Sequence, residues 1–301
     1  MLPEGGRVPD FEYTESIFDS EVSDFQIYER VGESLAEIKG VVLMLHGLGD
    51  YSRRHDEVAD LLMREGYATR MFDWPGNGDS SGKRGHLPSV EEAGALICEA
   101  LKRSDRPIEG IYAHSTGAFY LLHAIFSNPG EFADLKWVWL SSPLIYPRNG
   151  QSHFKIRLAE FLVQYLPLLT LSTGVRQSDC FHSENKAWFP VRDDMKLHNR
   201  VSLRAATDLM LNEATLVERV KKIPGSIAWL FTQGDEDGVC PLPITMGVFH
   251  DLVATNKTFV TISGARHEPM HEPDHSGVIS AVRAWLKNVY QDDRDNFATS
   301  H

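Results

Sequence analysis

Two hydrophobic patterns alternate along the first half of the chain. Continuous apolar runs of strand length occur at residues 40–45, 67–72, 108–113 and 136–140, and hydrophobic positions at helical spacing occur at residues 54–65, 90–102 and 118–127. Apolar runs of this length are typical of strands that are covered on both faces. The alternation predicts βαβ units, and therefore an α/β fold with a mostly parallel central sheet and helices on both faces.

The alternation stops after residue 143 and resumes with apolar runs at residues 226–231 and 258–262. We therefore predict one core formed by residues 1–143 and 225–301, with an inserted helical cap, or lid, at residues 144–224. The most apolar part of this insertion is residues 154–171. The pattern favours a helix packed on the core there. A second interpretation, which does not exclude the first, is a lid whose apolar face lines an acyl-chain tunnel or rests on a membrane surface.

Composition narrows the class of protein. A length of 301 residues, 42% hydrophobic and 24% charged residues are typical of a soluble globular protein with one large domain and an insertion. The net charge of -12, without a basic patch, argues against a nucleic-acid partner. The three cysteines do not form a disulfide pattern, residues 1–10 do not resemble a signal peptide, and no apolar stretch is long enough to span a membrane. We expect a cytoplasmic protein, with peripheral membrane contact through the cap as an alternative, and we predict no cofactor.

The turn between residues 108–113 and 118–127 carries a serine flanked by small residues. Ser115 has Gly117 two positions after it and Ala113 two positions before it, where the corresponding motif usually has a second glycine. A strand, a tight turn and a helix in this order form a nucleophile elbow, which exposes a serine hydroxyl above a sheet. Because serine alone is a poor nucleophile, this interpretation requires a base and an acid elsewhere in the chain.

Both partners follow in the order found in α/β-hydrolases, serine, then acid, then histidine. His267 comes just after the run at 258–262, and an acidic turn follows the run at 226–231. His267 would take the Ser115 proton and return it to the leaving group, while the acid orients the imidazole. Asp235, Glu236 and Asp237 are adjacent, and the spacing alone leaves the choice among them open.

The loop after the first buried strand is a candidate for stabilising negative charge. It reads His46-Gly47-Leu48-Gly49, and at this place in the fold the backbone turns its N–H groups towards the nucleophile. We predict that the N–H groups of Leu48 and Thr116 form the oxyanion hole.

The zinc-peptidase pattern H-E-x-x-H is formally present at residues 267–271. Zinc binding by this pattern requires both histidines on one face of a helix. Pro269 disfavours helical geometry at the residue before it, so we predict no metal site.

These motifs resemble the monoacylglycerol lipase and lysophospholipase group of serine hydrolases. The resemblance covers residues 46–54, 73–85, the elbow, 194–210 and 234–267. In that family the acid stands three residues after a glycine that closes its strand, which implies Asp237 after Gly234 as the catalytic acid.

The resemblance also implies residues that bind a glycerol head group. The family uses an acidic residue and an arginine after the His-Gly motif, and Asp50 and Arg54 match them. Its third contact is a histidine three residues past the catalytic one. Met270 occupies that position here, and His271 stands one residue further on.

The activity implied by the resemblance is hydrolysis of carboxylic esters of lipid-like substrates, of monoacylglycerol or lysophospholipid type, through an acyl-enzyme intermediate. The expected partner is a small lipid-like ester. A thioesterase, amidase or acyltransferase with the same triad is an alternative, and a non-catalytic binding protein is an alternative from a different class.

Overall fold

A computed structural model describes residues 11–35, 37–148, 150–182 and 196–298. Its strands are β1 (Phe11–Asp19), β2 (Gln26–Ser34), β3 (Gly40–Leu45), β4 (Tyr67–Phe72), β5 (Ile108–His114), β6 (Trp137–Ser141), β7 (Thr170–Ser172), β8 (Arg200–Ser202), β9 (Ala228–Gly234) and β10 (Lys257–Ile262). Its helices are α1 (Asp56–Arg64), α2 (Val90–Lys102), α3 (Thr116–Ser127), α4 (His153–Leu162), α5 (Gln177–Cys180), α6 (Leu203–Arg219), α7 (Leu242–Asp251) and α8 (Ser276–Ala298).

Eight strands form the central sheet, in the order β1-β2-β4-β3-β5-β6-β9-β10. Every pair from β4 to β10 is parallel, so the predicted fold class is confirmed. The hydrophobic pattern does not predict the antiparallel hairpin of β1 and β2 at one edge. Its outer strand is largely exposed and carries many polar residues, which leaves no continuous apolar run.

The sheet separates two hydrophobic cores. In β3, Val42 and Met44 pack with α1 and α8 on one face, while Leu43 and Leu45 pack with α2, α3 and α6 on the other. Successive side chains of a strand point to opposite faces, and every residue of β3 is buried. The unbroken apolar run at 40–45 is therefore explained by a strand that is covered on both sides.

One predicted helix begins later than the hydrophobic spacing indicates. The segment 54–65 was expected to be helical from its start, but Ser52–His55 form a 3₁₀ turn and α1 begins at Asp56. The Ser52 N–H donates to the buried Asp73 carboxylate at 2.7 Å. This bond to a distant loop fixes the tighter turn, which then orients Arg54.

Between β6 and β9 the described chain adds no strand to the central sheet. It forms α4, the antiparallel pair β7–β8, α5 and α6; residues 149 and 183–195 of the predicted cap lie outside the described residues. Leu209 and Leu216 of α6 are buried in the core shared with α2 and α3. Helix α4 has no buried residue, so the expectation that this apolar segment packs on the core is wrong.

Hydrogen bonds at two places join this insertion to the core. At the first, the Glu268 N–H donates to Cys180 O at 2.7 Å and the Arg266 guanidinium donates to Ser178 O at 2.6 Å. At the second, His198 N–H donates to Gly49 O at 2.9 Å. Residues 178–182 and 198–202, which we call the two feet of the cap, are thus tied to loops at the carboxyl end of the sheet.

Candidate active site

Ser115 stands at the turn from β5 into α3, with φ 51° and ψ -118°. L residues rarely occupy this region, and holding one there costs on the order of 1–3 kcal/mol. A Cβ on Gly117 would lie 2.6 Å from Leu45 O and 2.7 Å from His46 O, so the turn requires glycine at this position. Ala113 is fully buried opposite Leu45 in the parallel pair of β5 and β3. The elbow therefore accommodates a methyl group on its upstream side.

Ser115, His267 and Asp237 lie in hydrogen-bonding reach of one another. The Ser115 hydroxyl lies 3.0 Å from His267 Nε2, and His267 Nδ1 lies 3.1 Å and 3.2 Å from the two carboxylate oxygens of Asp237. All three residues are buried. The serine hydroxyl can donate to a ring nitrogen whose other nitrogen donates to a carboxylate, which is the relation a general base requires.

The structure brings Asp237, and not its two acidic neighbours, to the histidine. Asp235 accepts a hydrogen bond from the Gly264 N–H at 2.7 Å, and Glu236 is more than half exposed. Sequence reasoning missed Gln233, whose side-chain amide donates to Asp237 Oδ2 at 3.0 Å. Gln233 lies near the end of the buried strand β9, four residues before Asp237. This position is the sequence signal that could have indicated its role.

The acid and the base stabilise each other's charged form. Burial by itself would raise the pKa of Asp237, but His267 and the N–H groups of Val239 and Cys240, at 2.9 Å and 2.8 Å, hold that pKa below its ordinary value. Burial would likewise lower the pKa of His267, yet the Asp237 carboxylate raises it well above its ordinary value. This coupling strengthens His267 as a proton acceptor.

The loop between β3 and the 3₁₀ turn is held against the elbow. A Cβ on Gly47 would lie 3.1 Å from the Ser115 Cβ. His46 Nε2 accepts from the Trp74 N–H at 3.0 Å, so its Nδ1 donates to Gly47 O at 2.8 Å. Gly47 O and the Leu48 N–H belong to one peptide group, and His46 therefore fixes the direction of that N–H.

The second predicted oxyanion donor lies at the start of α3. Thr116 is the first residue of the helix, so its N–H has no acceptor within the helix. The positive end of the helix dipole adds to the attraction for an anion at this point.

The three residues predicted to bind a head group do not all reach the cavity above Ser115. Asp50 and Arg54 line it, together with Glu268, but His271 is not among its lining residues. Arg54 donates to Asp50 at 2.8 Å and to Glu268 at 2.7 Å. His271 bonds to Glu268 and to the Arg54 carbonyl instead. Sequence reasoning missed Glu268, although a carboxylate directly after the base is a natural partner for the buried arginine.

The carboxylates of this cluster are ionised despite their burial. Burial would raise the pKa of both Asp50 and Glu268, but the Arg54 guanidinium between them holds both pKa values well below their ordinary range. His55 adds a contact to Asp50 at 2.9 Å. The cluster therefore presents paired charges to the cavity.

The cavity above Ser115 has a volume of about 840 Å³. The cap supplies much of its apolar wall, through Ile156, Leu158, Ala159, Leu162, Leu171, Val175, Phe181, Val201, Leu209 and Met210. His114 also lines the cavity and donates from Nδ1 to Ser141 O at 3.0 Å. Burial, with help from His267 and His55, lowers the pKa of His114 to about 3, so this ring is neutral at neutral pH.

The H-E-x-x-H pattern does not converge on one point. His267 faces Ser115 and Asp237, while His271 lies in a 3₁₀ turn after Pro269 and faces Glu268. Within the described ranges, the ligand atoms of Asp237, Cys240 and His267 lie within 4.8 Å of one another. Two of these three residues are already paired in the serine–histidine–acid arrangement, and we assign no metal to them.

The parallel sheet, the serine elbow and the histidine at the strand ends define a serine hydrolase of the α/β-hydrolase fold. The chain belongs to the family described as serine aminopeptidase S33, whose model matches residues 36–274. A monoacylglycerol lipase from Mycolicibacterium smegmatis is 24% identical over 82% of this chain and 88% of its own length. A phospholipase from Bacillus subtilis is 24% identical over 81% of this chain and 94% of its own length.

A solved structure is similar over a comparable extent. The monoacylglycerol lipase of Paleococcus ferrophilus superposes with a TM-score of 0.76 and 27% identity, covering 87% of this chain and 99% of that one. The chain also matches an abhydrolase domain-containing protein of Dictyostelium discoideum at 25% identity, but it spans only 27% of that protein's length. The resemblance inferred from the motifs is thus confirmed at the level of the family and fold.

Proposed function

We propose that this protein hydrolyses carboxylic esters of lipid-like alcohols, of monoacylglycerol or lysophospholipid type, through an acyl-enzyme on Ser115. The observation that carries the proposal is the 3.0 Å contact between Ser115 Oγ and His267 Nε2, at the foot of a large cavity with apolar walls. A cavity of about 840 Å³ has room for a long acyl chain as well as a small head group.

The reaction proceeds in two halves. Ser115 Oγ attacks the ester carbonyl as its proton passes to His267 Nε2, and the N–H groups of Leu48 and Thr116 stabilise the oxyanion. The tetrahedral intermediate then collapses, the C–O bond to the alcohol breaks, and His267 returns the proton to that alcohol. Water attacks the acyl-enzyme in the second half, with His267 again accepting and returning a proton, and the fatty acid leaves.

The charges around Ser115 favour an ester over a peptide with a free amino terminus. Recognition of an α-ammonium group requires a carboxylate that is free to bind it. Among the described residues that line the cavity, the carboxylates are Asp50 and Glu268, and both are paired with Arg54. We therefore favour an ester substrate over the aminopeptidase activity that the family description names.

Replacing the nucleophile tests the reaction. The Ser115→Ala variant should lose turnover of a short-chain nitrophenyl ester by a factor on the order of 10⁶. Ser142→Ala is a matched control, because Ser142 also has a positive φ, of 44°, but has no role in the reaction and should retain activity. A fluorophosphonate probe should label the native protein and not Ser115→Ala. An unlabelled native protein would favour the alternative of a non-catalytic binding protein.

Activity profiling identifies the substrate class. Monoacylglycerols and lysophospholipids of matched chain length should be cleaved faster than the corresponding thioesters and amides. Preferential cleavage of thioesters or amides, or acyl transfer to an alcohol in place of hydrolysis, would select one of the alternatives that use the same triad.

We further propose that the outer face of α4 rests on a membrane surface. Phe154 is 76% exposed and Tyr165 is 67% exposed, and Phe161 is also exposed, with its ring centroid 5.5 Å from that of Tyr165. Lys155 and Arg157 are exposed beside them. Apolar side chains accompanied by basic ones are typical of helices that lie in the interface of an anionic bilayer.

A cytoplasmic location accompanies this proposal. Cys98, Cys180 and Cys240 are free thiols, as in proteins of reducing compartments. Within the described ranges no helix combines the length and the apolar character needed to cross a bilayer.

A further inference from the structure

His271, which departs from the family pattern by one position, faces two hydrogen-bond acceptors. Its Nδ1 lies 2.6 Å from Glu268 Oε2, and its Nε2 lies 2.8 Å from the backbone carbonyl of Arg54. A carbonyl oxygen accepts only, and so does an ionised carboxylate. Glu268 is ionised, because Arg54 outweighs the effect of burial on its pKa. Both contacts are hydrogen bonds only when both ring nitrogens of His271 carry a proton.

These contacts form a closed cycle of hydrogen bonds between two loops of the active site. Arg54 belongs to the turn Ser52–His55, directly after the loop that carries Leu48, and Glu268 follows His267. The Arg54 side chain donates to Glu268 at 2.7 Å, Glu268 accepts from His271, and His271 donates back to the Arg54 carbonyl. The side chain and the backbone carbonyl of Arg54 are thereby both bound to the turn that carries Glu268 and His271.

We propose that His271 is a positioning residue, whose doubly protonated ring fixes the loop that carries His267 against the loop that carries Leu48. The proposal rests on the function proposed above, because it concerns the relative placement of the base and an oxyanion donor. A side chain that lacks one of these two donors leaves Glu268 or the Arg54 carbonyl without this partner, and the two loops are then joined less firmly. The base and the oxyanion donor then lose their fixed separation, which lowers the rate of the chemical step more than substrate binding.

The charges around His271 support a cationic ring. Glu268 faces it from its own turn, and Arg54 and His55 face it from the turn Ser52–His55, with the His55 ring centroid at 6.3 Å. Glu57 of α1 is close enough to interact electrostatically. With His271 charged, Asp50 and Glu268 are balanced by two cations. When His271 is neutral, the Arg54 guanidinium is shared between these two buried carboxylates, and Asp50 also contacts His55 Nε2.

The division of the activity loss between kcat and KM for a nitrophenyl ester tests the proposal. His271→Gln keeps one side-chain donor, so it should recover part of the kcat that His271→Ala loses. His271→Ala should lower kcat by roughly tenfold or more with KM nearly unchanged.

His275→Gln is the matched control, since His275 lies four residues away and contacts Glu57 at 3.7 Å and the Glu272 carbonyl. Its kcat and KM should equal those of the native protein. An unchanged kcat in His271→Ala, or a loss confined to KM, would overturn the proposal.

A measurement on the native protein tests, without any variant, whether both ring nitrogens of His271 are protonated. In ¹⁵N-labelled protein, both ring nitrogens of His271, assigned through the backbone, should show the shifts of protonated nitrogens at the pH of maximal activity. One unprotonated nitrogen there would refute the cationic ring. If the native protein cleaves no ester and takes up no fluorophosphonate, the proposed function fails, whereas the ¹⁵N shifts still judge His271 on their own.

Discussion

Two small residues stand two positions on either side of Ser115, but they meet different surroundings. Gly117 faces the backbone carbonyls at the end of β3, and carbonyls in a central strand have little freedom to move. Ala113 lies inside β5, where its methyl group packs in the core between the sheet and the helices. The downstream glycine is therefore required by close backbone approach, and the upstream position is open to a small side chain.

The two flanking positions should respond differently to exchange of glycine and alanine. Gly117→Ala should destabilise the fold by about 1–3 kcal/mol and displace the nucleophile, because the added methyl group overpacks a backbone contact. Ala113→Gly, which restores the usual motif, should cost only about 0.5–1 kcal/mol and retain activity. Urea unfolding and ester turnover of both variants provide the comparison. A fully active, stable Gly117→Ala variant would contradict the steric argument.

Asp237, the proposed acid, is the residue at which pH dependence should change most clearly. Asp237→Asn should lower kcat by about 10⁴-fold, because an amide no longer fixes the tautomer of His267. Asp237 also raises the pKa of His267, so the acid limb of the pH profile should move to lower pH in this variant. Asp235→Asn is the control and should resemble the native protein. Equal losses in the two variants would argue against Asp237 as the acid.

At the scale of elements, α4 differs from the other long helices in having no buried residue. One of its faces lines the cavity, through Ile156 and Ala159, and Phe154 and Phe161 lie in the solvent. A helix that is apolar towards both a cavity and solvent is stabilised less by packing than one that covers a core. Such a helix is suited to a protein whose apolar face is covered only when a lipid phase is present.

Polar substitution on α4 should separate lipid-phase activity from activity on dissolved esters. Phe154→Ser combined with Phe161→Ser should reduce binding to anionic vesicles and the hydrolysis of lipid presented in them, since the removed apolar area is what enters the interface. Turnover of a dissolved nitrophenyl ester should stay unchanged. Leu211→Ser is a control, because Leu211 is an exposed apolar residue of α6. Vesicle binding that survives the double substitution would contradict the membrane proposal.

The sequence predicts elements well where one pattern dominates. β3 and β4 have the predicted bounds, because strands covered on both faces give continuous apolar runs. The β1–β2 hairpin and the turn Ser52–His55 are different cases, because they depend on sheet-edge pairing and on a bond to Asp73. Neither leaves a periodic signal in its own segment.

In the candidate site, too, some residues are indicated by a local sequence pattern and others depend on distant contacts. Motif order indicates Ser115 and His267, because strand ends in a parallel sheet meet at one edge. The pairing of Arg54 with Glu268 joins positions 214 residues apart, and no local pattern reports such a contact. Whether Arg54 meets a substrate or a carboxylate is therefore decided by the tertiary structure alone.

At the scale of the whole molecule, several histidines are buried in the neutral form. Burial lowers the pKa of His114 to about 3 and that of His123 to about 4. An unfolded histidine titrates near pH 6.5, so the unfolded chain binds more protons than the folded chain between these values. Folding stability should therefore fall as pH drops below about 6.5, by up to about 1.4 kcal/mol per pH unit for each such group.

Replacing one of these histidines, at a position away from the active site, tests how folding stability depends on pH. His123 lies between Phe119 and Phe126 on α3, with ring centroids at 4.7 Å from each. His123→Phe should reduce the loss of Tm between pH 7 and pH 5, because the unfolded chain then takes up one proton fewer. Calorimetry at fixed ionic strength measures this difference. An unaltered slope in His123→Phe would contradict the assignment.

The two feet of the cap have a consequence for how this protein could diversify. Residues 178–182 and 198–202 are fastened to the loops of His267 and Leu48, and α4 lies outside both. Inherited changes in α4 can therefore alter which lipids are admitted without disturbing the bond-breaking groups. Changes in the feet would reach the chemistry at once. For laboratory evolution, α4 is the segment to randomise, and the feet are the segments to leave intact.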